Sequence, residues 1–364
     1  YNTEGGVKGV REHNMSSCSL KELPILIMLT TFAALAESNV PAIIVFGDST
    51  VDSGNNNAML TILKSNFHPY GKDFQGGQAT GRFSNGRIAT DFISEGLGLK
   101  PFVPPYLNPD YTIDDFATGV SFASAGTGYD NVTSQILNVI PLWKELELFV
   151  DYQKKLRELL GEEKGDEIIR EALYVISLGT NDFMENYFAI TTRRLQFTVE
   201  EFQNFIVQIA GDFLANLYGA GARKVALSGL PPMGCLPLER TTNIFTPRDC
   251  IEEYNDVALQ FNEKLELKVS QLKKNLLDLK IVFFKTIYDT LLAAITDPNS
   301  YGFEEASLAC CATGMFEMSY LCNKGSYTCP DADKYVFWDA FHPTEKTNKM
   351  LVDQIMPLLL AEFR

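Results

Sequence analysis

The stretch AIIVFGDSTVDSGNNN (42–57) joins an apolar run to a cluster of residues that favour turns. Residues 42–46 have the composition of a buried strand, and the run stops at Gly47-Asp48-Ser49. Glycine, aspartate, serine and asparagine are all common in turns. The segment is therefore either an ordinary strand-to-helix turn in which Ser49 caps the helix, or a turn that presents the Ser49 hydroxyl.

Further short apolar runs predict buried strands at residues 120–123, 173–178, 224–230 and 279–284. Segments with helical periodicity lie between them, the clearest being 202–217 and 254–277. Strands that alternate with helices form parallel sheets covered on both faces. We therefore predict an α/β protein, a three-layer α/β/α sandwich around a central parallel sheet of about five strands. Nothing marks a second domain, and residues 37–364 are expected to form one.

The composition narrows the choice of partners. The chain has 364 residues, of which 46% are hydrophobic, and this is ample for a large core. Its formal net charge is −15. A strongly acidic surface opposes binding to nucleic acid or to anionic membranes, so we expect neither as a partner.

The N-terminal region has the layout of a secretory signal peptide. Met15 is followed by a short polar start, an apolar stretch over 23–35, and small residues that suit cleavage after Ala36. The apolar stretch has 13 residues, whereas a membrane-spanning helix needs about 20; an uncleaved anchor is the alternative. We expect residues 1–14 to lie upstream of the working protein and 15–36 to be removed. The mature chain would then be secreted, without an integral membrane segment.

Cysteine usage agrees with export. One of the seven cysteines lies in the predicted signal, and the others are Cys235, Cys250, Cys310, Cys311, Cys322 and Cys329. An even set in an exported chain predicts disulfides. Cys235 with Cys250 would close a short loop, while Cys310 and Cys311 would each reach Cys322 or Cys329. A four-cysteine zinc site is the competing interpretation, but no C-x-x-C pair is present. Asn131 begins an Asn-Val-Thr glycosylation sequon in a loop-like stretch.

Three of the predicted strands end in residues that can do chemistry. The first leads to Ser49, the second into SFASAGTGYDN with Gly126, and the third into SLGTNDF with Asn181. In parallel sheets, ligands gather at the carboxyl ends of the strands. A nucleophile, a glycine turn and a carboxamide are thus expected at one edge of the sheet.

The general base follows by elimination. A serine nucleophile needs a base, normally a histidine that a carboxylate orients. The chain has three histidines: His13 precedes the signal, His68 lies in the loop NFHPYGKDF, and His342 lies in WDAFHPTEK. Asp339, three residues before His342, can fold back onto Nδ1 and leave Nε2 free. We therefore predict a Ser49, His342 and Asp339 triad.

The remaining requirement is an oxyanion hole, a set of fixed N–H donors for the charge that develops on the attacked carbonyl. Gly126 can bring its backbone N–H close because it has no side chain in the way. Asn181 can offer its side-chain amide, and Ser49 its own N–H. We expect Asp48, Asp52 and residues 55–57 to brace the loop by hydrogen bonds.

Each element taken alone has an ordinary structural explanation. GTND is often only a turn, and a loop histidine is often only solvated. A metal site lacks clustered ligands, and a phosphate site lacks a glycine-rich cradle with a lysine. The elements are convincing jointly, because they occur in a workable order at successive strand ends.

The motifs FGDSTVDSGNNN (46–57), TGRFSNGR (80–87), FASAGTGYDN (122–131), SLGTNDF (177–183), GLPPMGCLP (229–237) and FWDAFHPTE (337–345) together resemble the plant GDSL esterase/lipase family of the SGNH hydrolases. The resemblance runs from about residue 41 to the C-terminus. It implies a flavodoxin-like sandwich, no cofactor, and the same roles for Ser49, Gly126, Asn181, Asp339 and His342. His68 is a departure from the family pattern, which we interpret as loop variation. No G-x-S-x-G elbow is present, and this opposes an ordinary α/β-hydrolase.

The expected function is a secreted, monomeric serine esterase or lipase of the plant apoplast or cell wall. It would hydrolyse carboxylic esters of lipids or acylated wall components through an acyl-enzyme on Ser49. An acyltransferase that uses the same residues for cutin-type transesterification is one alternative. A binding or defence glycoprotein with an idle site is another.

Overall fold

The structure is a computed structural model that describes residues 40–190, 192–243, 246, 248–312 and 322–363. The predicted upstream segment 1–14 and signal peptide 15–36 lie outside the described residues. Among the described residues, no helix has both the length and the apolar character needed to span a membrane.

A five-stranded parallel sheet forms the centre of the fold. Its strands, in chain order, are β1 Ile43–Gly47, β2 Gly119–Ser121, β3 Leu173–Ser177, β4 Lys224–Ser228 and β5 Lys280–Phe284. Their spatial order is β2-β1-β3-β4-β5, and every neighbouring pair is parallel. This is the flavodoxin-like order, whose switch point lies between the first and third strands. The predicted fold class is confirmed, with strand limits that differ by one or two residues.

Helices cover both faces of the sheet. Those described are α1 Ala89–Gly96, α2 Ile113–Phe116, α3 Asn131–Leu137, α4 Leu142–Leu160, α5 Glu162–Glu171, α6 Val199–Gly219, α7 Pro237–Thr242, α8 Glu252–Asn275, α9 Thr286–Thr296 and α10 Glu345–Phe363. A π-helix, Asp182–Ala189, follows β3. The two long helices predicted from periodicity correspond to α6 and α8. Thr198 and Glu201 form the capping box at the start of α6.

Side chains of β1 show how the sheet is buried. Ile44 and Phe46 belong to one core, together with residues of α4, α5, α6 and α8. Ile43 and Val45 point to the other face, into a core that includes residues of α1 and α10. Alternation along a strand sends successive side chains to opposite faces. A strand covered on both faces must therefore be apolar throughout, and this is why residues 42–46 read as one continuous run.

Two small sheets lie outside the central one. Their strands are β6 Glu305–Ala309 with β9 Tyr335–Phe337, and β7 Cys311–Ala312 with β8 Tyr327–Thr328. The segment between β9 and α10 carries Asp339 and His342. Three disulfides join Cys235 to Cys250, Cys310 to Cys329, and Cys311 to Cys322. These pairings confirm the predicted disulfides and overturn the zinc interpretation.

Candidate active site

The turn after β1 is shaped by a glycine. Gly47 has a φ of +144°, and a Cβ at this position would lie 2.1 Å from the Ser177 carbonyl oxygen. Only glycine combines this backbone conformation with so close an approach. The Asp48 N–H donates to the same oxygen at 3.1 Å. Residues 48–54 form turns rather than an α-helix, so the helix-cap interpretation of Ser49 is wrong.

Buried polar side chains fix the loop that follows Ser49. Asp52 accepts hydrogen bonds from the Gly54 and Asn55 N–H groups at 2.7 Å, and from the Ala125 N–H at 3.0 Å. The Asn55 amide donates to carbonyl oxygens in the segment that begins at β2. Asp52 is fully buried, and burial raises its pKa to about 6 against the opposing effect of these hydrogen bonds. The bracing role expected of the acidic and asparagine residues is confirmed.

The structure brings Ser49, His342 and Asp339 into one hydrogen-bonded chain. Ser49 Oγ lies 2.7 Å from His342 Nε2, although the two residues are 293 positions apart. His342 Nδ1 lies 2.7 and 2.9 Å from the two oxygens of Asp339. The Asp339 carboxyl also accepts the backbone N–H groups of Phe341 and His342, at 3.0 and 2.8 Å. This is the arrangement in which a carboxylate orients an imidazole toward a serine hydroxyl.

The electrostatics of Asp339 favour its ionised form. Burial alone would raise the pKa of this carboxyl. The His342 imidazole and the hydrogen bonds that the carboxyl accepts outweigh burial and lower the pKa. Asp339 thus stays charged in a site with no exposure to solvent. A fixed negative charge at this place stabilises the imidazolium that forms when a histidine accepts a proton.

Tyr70 is a member of the site that the sequence did not indicate. Its hydroxyl donates to Asp339 Oδ2 at 2.7 Å, and the ring is buried against Phe83 and Trp338. Burial and the Asp339 charge raise the Tyr70 pKa well above 10, so the hydroxyl keeps its proton. In the sequence, Tyr70 stands out only by its place in NFHPYGKDF, and that place does not indicate a hydrogen bond to Asp339. His68 in the same loop is exposed and does not line the cleft around Ser49.

Gly126 and Asn181 lie in the segments that follow β2 and β3, the two strands that neighbour β1. Gly126 has a φ of +87°, and a Cβ there would lie 2.5 Å from Leu63. Neither Gly126 N–H nor Ser49 N–H donates a hydrogen bond to any residue in the described part of the chain. The Asn181 amide donates to the Thr127 carbonyl at 3.0 Å and keeps a second hydrogen. Ser49, Gly126 and Asn181, which follow β1, β2 and β3, thus line the same cleft.

Asp182 links the last two of these loops. Its carboxyl accepts the N–H groups of Tyr129 and Asp130 at 2.7 and 3.0 Å, and the Thr133 hydroxyl at 2.6 Å. Burial raises the pKa of Asp182 to about 7 despite these bonds. Asp182 therefore fixes the loop of Gly126 to the segment that carries Asn181. No cluster of three or more potential metal ligands occurs in the described ranges.

The TGRFSNGR motif supplies a buried ion pair beside the loop that follows Ser49. Arg82 makes two contacts with the Asp91 carboxylate, at 2.7 and 2.8 Å. The same guanidinium donates to the carbonyl oxygens of Ser53 and Val103, at 3.2 and 2.9 Å. A guanidinium that satisfies a carboxylate and two carbonyls at once is well compensated for burial. Arg82 thus ties the loop after Ser49 to α1.

The cleft around Ser49 is mostly apolar. Its volume is about 120 Å³, and its apolar lining includes Ile62, Leu63, Phe83, Leu137 and Leu236. Glu185, on the π-helix, also lines it, and burial raises the pKa of that carboxyl. Sites that bind organic ligands have this character, with a few polar groups placed in an apolar pocket. Asn131 lies away from the cleft lining, exposed at the first position of α3 rather than in a loop, and its side chain accepts the Trp143 indole N–H.

Comparison with known proteins gives the family. The sequence matches the profile of the GDSL-like Lipase/Acylhydrolase family over residues 43–355. It is 59% identical over 325 residues to GDSL esterase/lipase At4g26790 of Arabidopsis thaliana, covering 89% of this chain and 92% of the relative. It is 55% identical over 346 residues to GDSL esterase/lipase At2g04570 of the same plant, covering 95% and 98%. The resemblance predicted from the motifs is confirmed: the chain belongs to the GDSL-like lipase/acylhydrolase family and is a carboxylic ester hydrolase.

Proposed function

We propose that this hydrolase works through an acyl-enzyme formed on Ser49. One observation carries the proposal: the continuous chain from Ser49 Oγ to His342 Nε2 at 2.7 Å, and from His342 Nδ1 to Asp339 at 2.7 Å. In this mechanism His342 accepts the Ser49 proton as Oγ attacks the ester carbonyl carbon. Asp339 holds the ring and stabilises the imidazolium.

The tetrahedral intermediate places its negative charge among the donors that surround Ser49. The N–H groups of Ser49 and Gly126 and the free amide hydrogen of Asn181 form the proposed oxyanion hole. Loss of one such donor typically lowers transition-state stabilisation by roughly 2.7–4 kcal/mol. Protonated His342 then gives its proton to the departing alcohol. Water attacks the acyl-enzyme with His342 again as base. The bond between the acyl carbon and Ser49 Oγ then breaks, protonated His342 returns the proton to Oγ, and the carboxylic acid is released.

We also propose that the enzyme acts outside the cell as a monomer. The signal-like layout of residues 15–36 and the three disulfides support export. Glycosylation at Asn131 is a further proposal, supported by the sequon and by the exposure of that residue. Recovery of the mature chain from the medium of expressing plant cells, with its N-terminus determined, tests the export.

The catalytic proposal is tested by labelling with a fluorophosphonate, which reacts with activated serines. Wild type, Ser49→Ala, His342→Ala and Ser53→Ala are compared, and the adduct is mapped by mass spectrometry. Ser53 is a matched control because it is buried in the same turn, and its hydroxyl has no hydrogen-bond partner in the described residues. We expect a label on Ser49 that persists in Ser53→Ala and is lost in the other two variants. Absence of label on folded, disulfide-bonded wild type would reject the acyl-enzyme and favour the idle-site glycoprotein.

A further inference from the structure

A second cavity extends from the active-site cleft into the protein. It has a volume of about 120 Å³ and lies between the sheet and the helices α1, α9 and α10. A cavity needs only about 10–15 Å³ to hold one water molecule, so this one is several times larger than that minimum. We call it the inner cavity, and its lining includes Val51, Ile93, Val175, Ala226, Phe284 and Ile355.

The inner cavity adjoins the cleft of Ser49. The residues that line both spaces are Thr50, Thr180, Pro231, Leu236 and Phe341. Two of them are covalent neighbours of the proposed catalytic residues, since Thr50 follows Ser49 and Phe341 precedes His342. The wall that the two spaces share is therefore next to the point where Ser49 would attack the ester carbon.

The chemistry of the inner cavity is that of an alkyl-chain site. Three of the hydroxyls that line it already have partners: Ser177 Oγ lies 2.8 Å from Thr50 Oγ1, and Ser228 Oγ donates to the Gly229 carbonyl at 2.9 Å. Little hydrogen-bonding capacity remains for water or a sugar. Cavities of this kind stay dry and accept apolar ligands.

The strands that line the inner cavity give its reach. Lining residues occur in the turn that follows β1 and in β3, β4 and β5, and these four strands are consecutive in the sheet. Three interstrand spacings of about 4.8 Å span roughly 14 Å. A C–C bond of about 1.52 Å advances an extended alkyl chain by roughly 1.25 Å per carbon. The span thus matches about eleven carbons.

We propose that the inner cavity binds the acyl chain of the ester, and that the substrates are esters of fatty acids with about ten to twelve carbons. This inference rests on the proposed role of Ser49. The alcohol part then occupies the cleft around Ser49, on the side of Leu63, Leu137 and Glu185. Acetylated wall polysaccharide would leave the inner cavity unused, so the geometry favours lipid esters over wall acetates.

The test fills the cavity and measures chain-length preference. Ser228→Leu adds two non-hydrogen atoms at the carboxyl end of β4. Ala226→Met adds three such atoms, two residues earlier in the same strand. Each buried methylene contributes about fourfold to binding. We expect the ratio of kcat/KM for p-nitrophenyl laurate to that for the acetate to fall at least tenfold in both variants. Gln354→Leu is the matched control, because this exposed neighbour of Ile355 on α10 lies outside the cavity lining; its ratio should stay within twofold of wild type.

Direct binding separates this inference from the proposed mechanism. Ser49→Ala protein is titrated with dodecanoate by calorimetry, alone and combined with Ser228→Leu. We expect one equivalent to bind the single variant, and at least tenfold weaker binding to the double variant. An unchanged ratio in the filled variants, or equal dodecanoate binding, would overturn the acyl-chain assignment even if acetate is hydrolysed through Ser49. Dodecanoate binding without ester hydrolysis by wild type would instead support the cavity and reject the mechanism.

Discussion

Replacing Tyr70 by phenylalanine removes one hydroxyl and little else. The ring stays packed against Phe83 and Trp338, and the donor to Asp339 Oδ2 disappears. Tyr70 does not line the cleft of Ser49, so a substrate in the cleft does not touch it. The substitution therefore acts on Asp339 and, through it, on His342. Tyr70 is a positioning residue on this argument.

The size of the expected fall in kcat follows from the hydrogen bonds that the Asp339 carboxyl retains. A hydrogen bond to a charged group contributes about 1.5–3 kcal/mol. Without Tyr70, the carboxyl still accepts the His342 ring N–H and the two backbone N–H groups of Phe341 and His342. Three remaining donors place the expected loss near the lower limit. A loss of about 1.4 kcal/mol in the transition state is a tenfold fall in kcat.

The assay is steady-state hydrolysis of p-nitrophenyl acetate by Tyr70→Phe, with kcat and KM determined separately. We expect kcat to fall about tenfold and KM to stay within twofold. Tyr152→Phe is the matched control, because its buried hydroxyl donates to the Phe116 carbonyl and has no contact with the triad. Both variants lose a buried hydroxyl, and both should lose stability in thermal unfolding.

The reasoning would be refuted if Tyr70→Phe retained the wild-type kcat, or if Tyr152→Phe lost as much. The first result would mean that Asp339 needs no fourth donor. The second would mean that the loss reflects packing rather than the triad. A rise in KM with unchanged kcat would also contradict it, because Tyr70 would then act on substrate binding.

Three further outcomes are expected. Gly126→Ala should lower kcat at least tenfold and destabilise the fold by about 1–2 kcal/mol, because its φ is +87° and the added Cβ meets Leu63; hydrolysis and denaturation measurements check both, and wild-type kcat would contradict the oxyanion role. Burial, followed by the charge of Glu185, raises the pKa of Glu239 from 4.5 to about 7, so stability should fall as the pH rises between these values. Glu239→Gln removes this loss and should be more stable than wild type at pH 8, by up to about 3 kcal/mol, but not at pH 4; equal melting temperatures at pH 8 would contradict the expected shift. Asn131→Gln should abolish a glycan-sized mass difference in protein from a secretory host while leaving kcat unchanged, and an unchanged mass would show that the sequon is unused.

The sequence was sufficient for the parts of the structure that depend on local pattern. Strands buried on both faces must be apolar throughout, so runs such as 42–46 predicted the sheet. The pairing of Ser49 with His342 was predictable for a different reason: the chain has only three histidines, and His342 alone has a carboxylate at a suitable spacing. Because histidines are so few, the partner of Ser49 could be identified without knowing any distance between residues.

Other features depend on contacts that no local pattern specifies. Tyr70 meets Asp339 across 269 positions, and a buried tyrosine looks the same in sequence whether or not its hydroxyl has a partner. The cysteines 310 and 311 are adjacent, so their spacing to the partners could not decide the pairing. The inner cavity arises where small residues, Ala226 and Ser228, face α10, and sequence alone does not say which small residues leave space and which allow closer packing.

Buried carboxyl groups hold the loops around Ser49. Each accepts a backbone N–H from a site loop: Glu145 from Gly47 at 3.0 Å, Asp52 from Ala125 at 3.0 Å, and Asp182 from Tyr129 at 2.7 Å. Carboxyl oxygens suit this task because they accept several hydrogen bonds at once. The result is a set of loops whose donors are already oriented before substrate arrives.

Such a cluster would oppose the proposed mechanism if every member were ionised, because the proposed oxyanion beside Ser49 is also negative. Burial raises the pKa of Asp52 to about 6 and of Asp182 to about 7, and it raises that of Glu145 well above the ordinary value. These raised pKa values reduce the negative charge of the cluster as the pH falls toward them, while a protonated carboxyl still accepts a hydrogen bond through its carbonyl oxygen. The lowered pKa of Asp339 is the exception, and it belongs to the one carboxyl that must be charged to stabilise an imidazolium. Asp339 differs from the bracing groups because the His342 ring and the hydrogen bonds to its carboxyl together outweigh burial and lower its pKa.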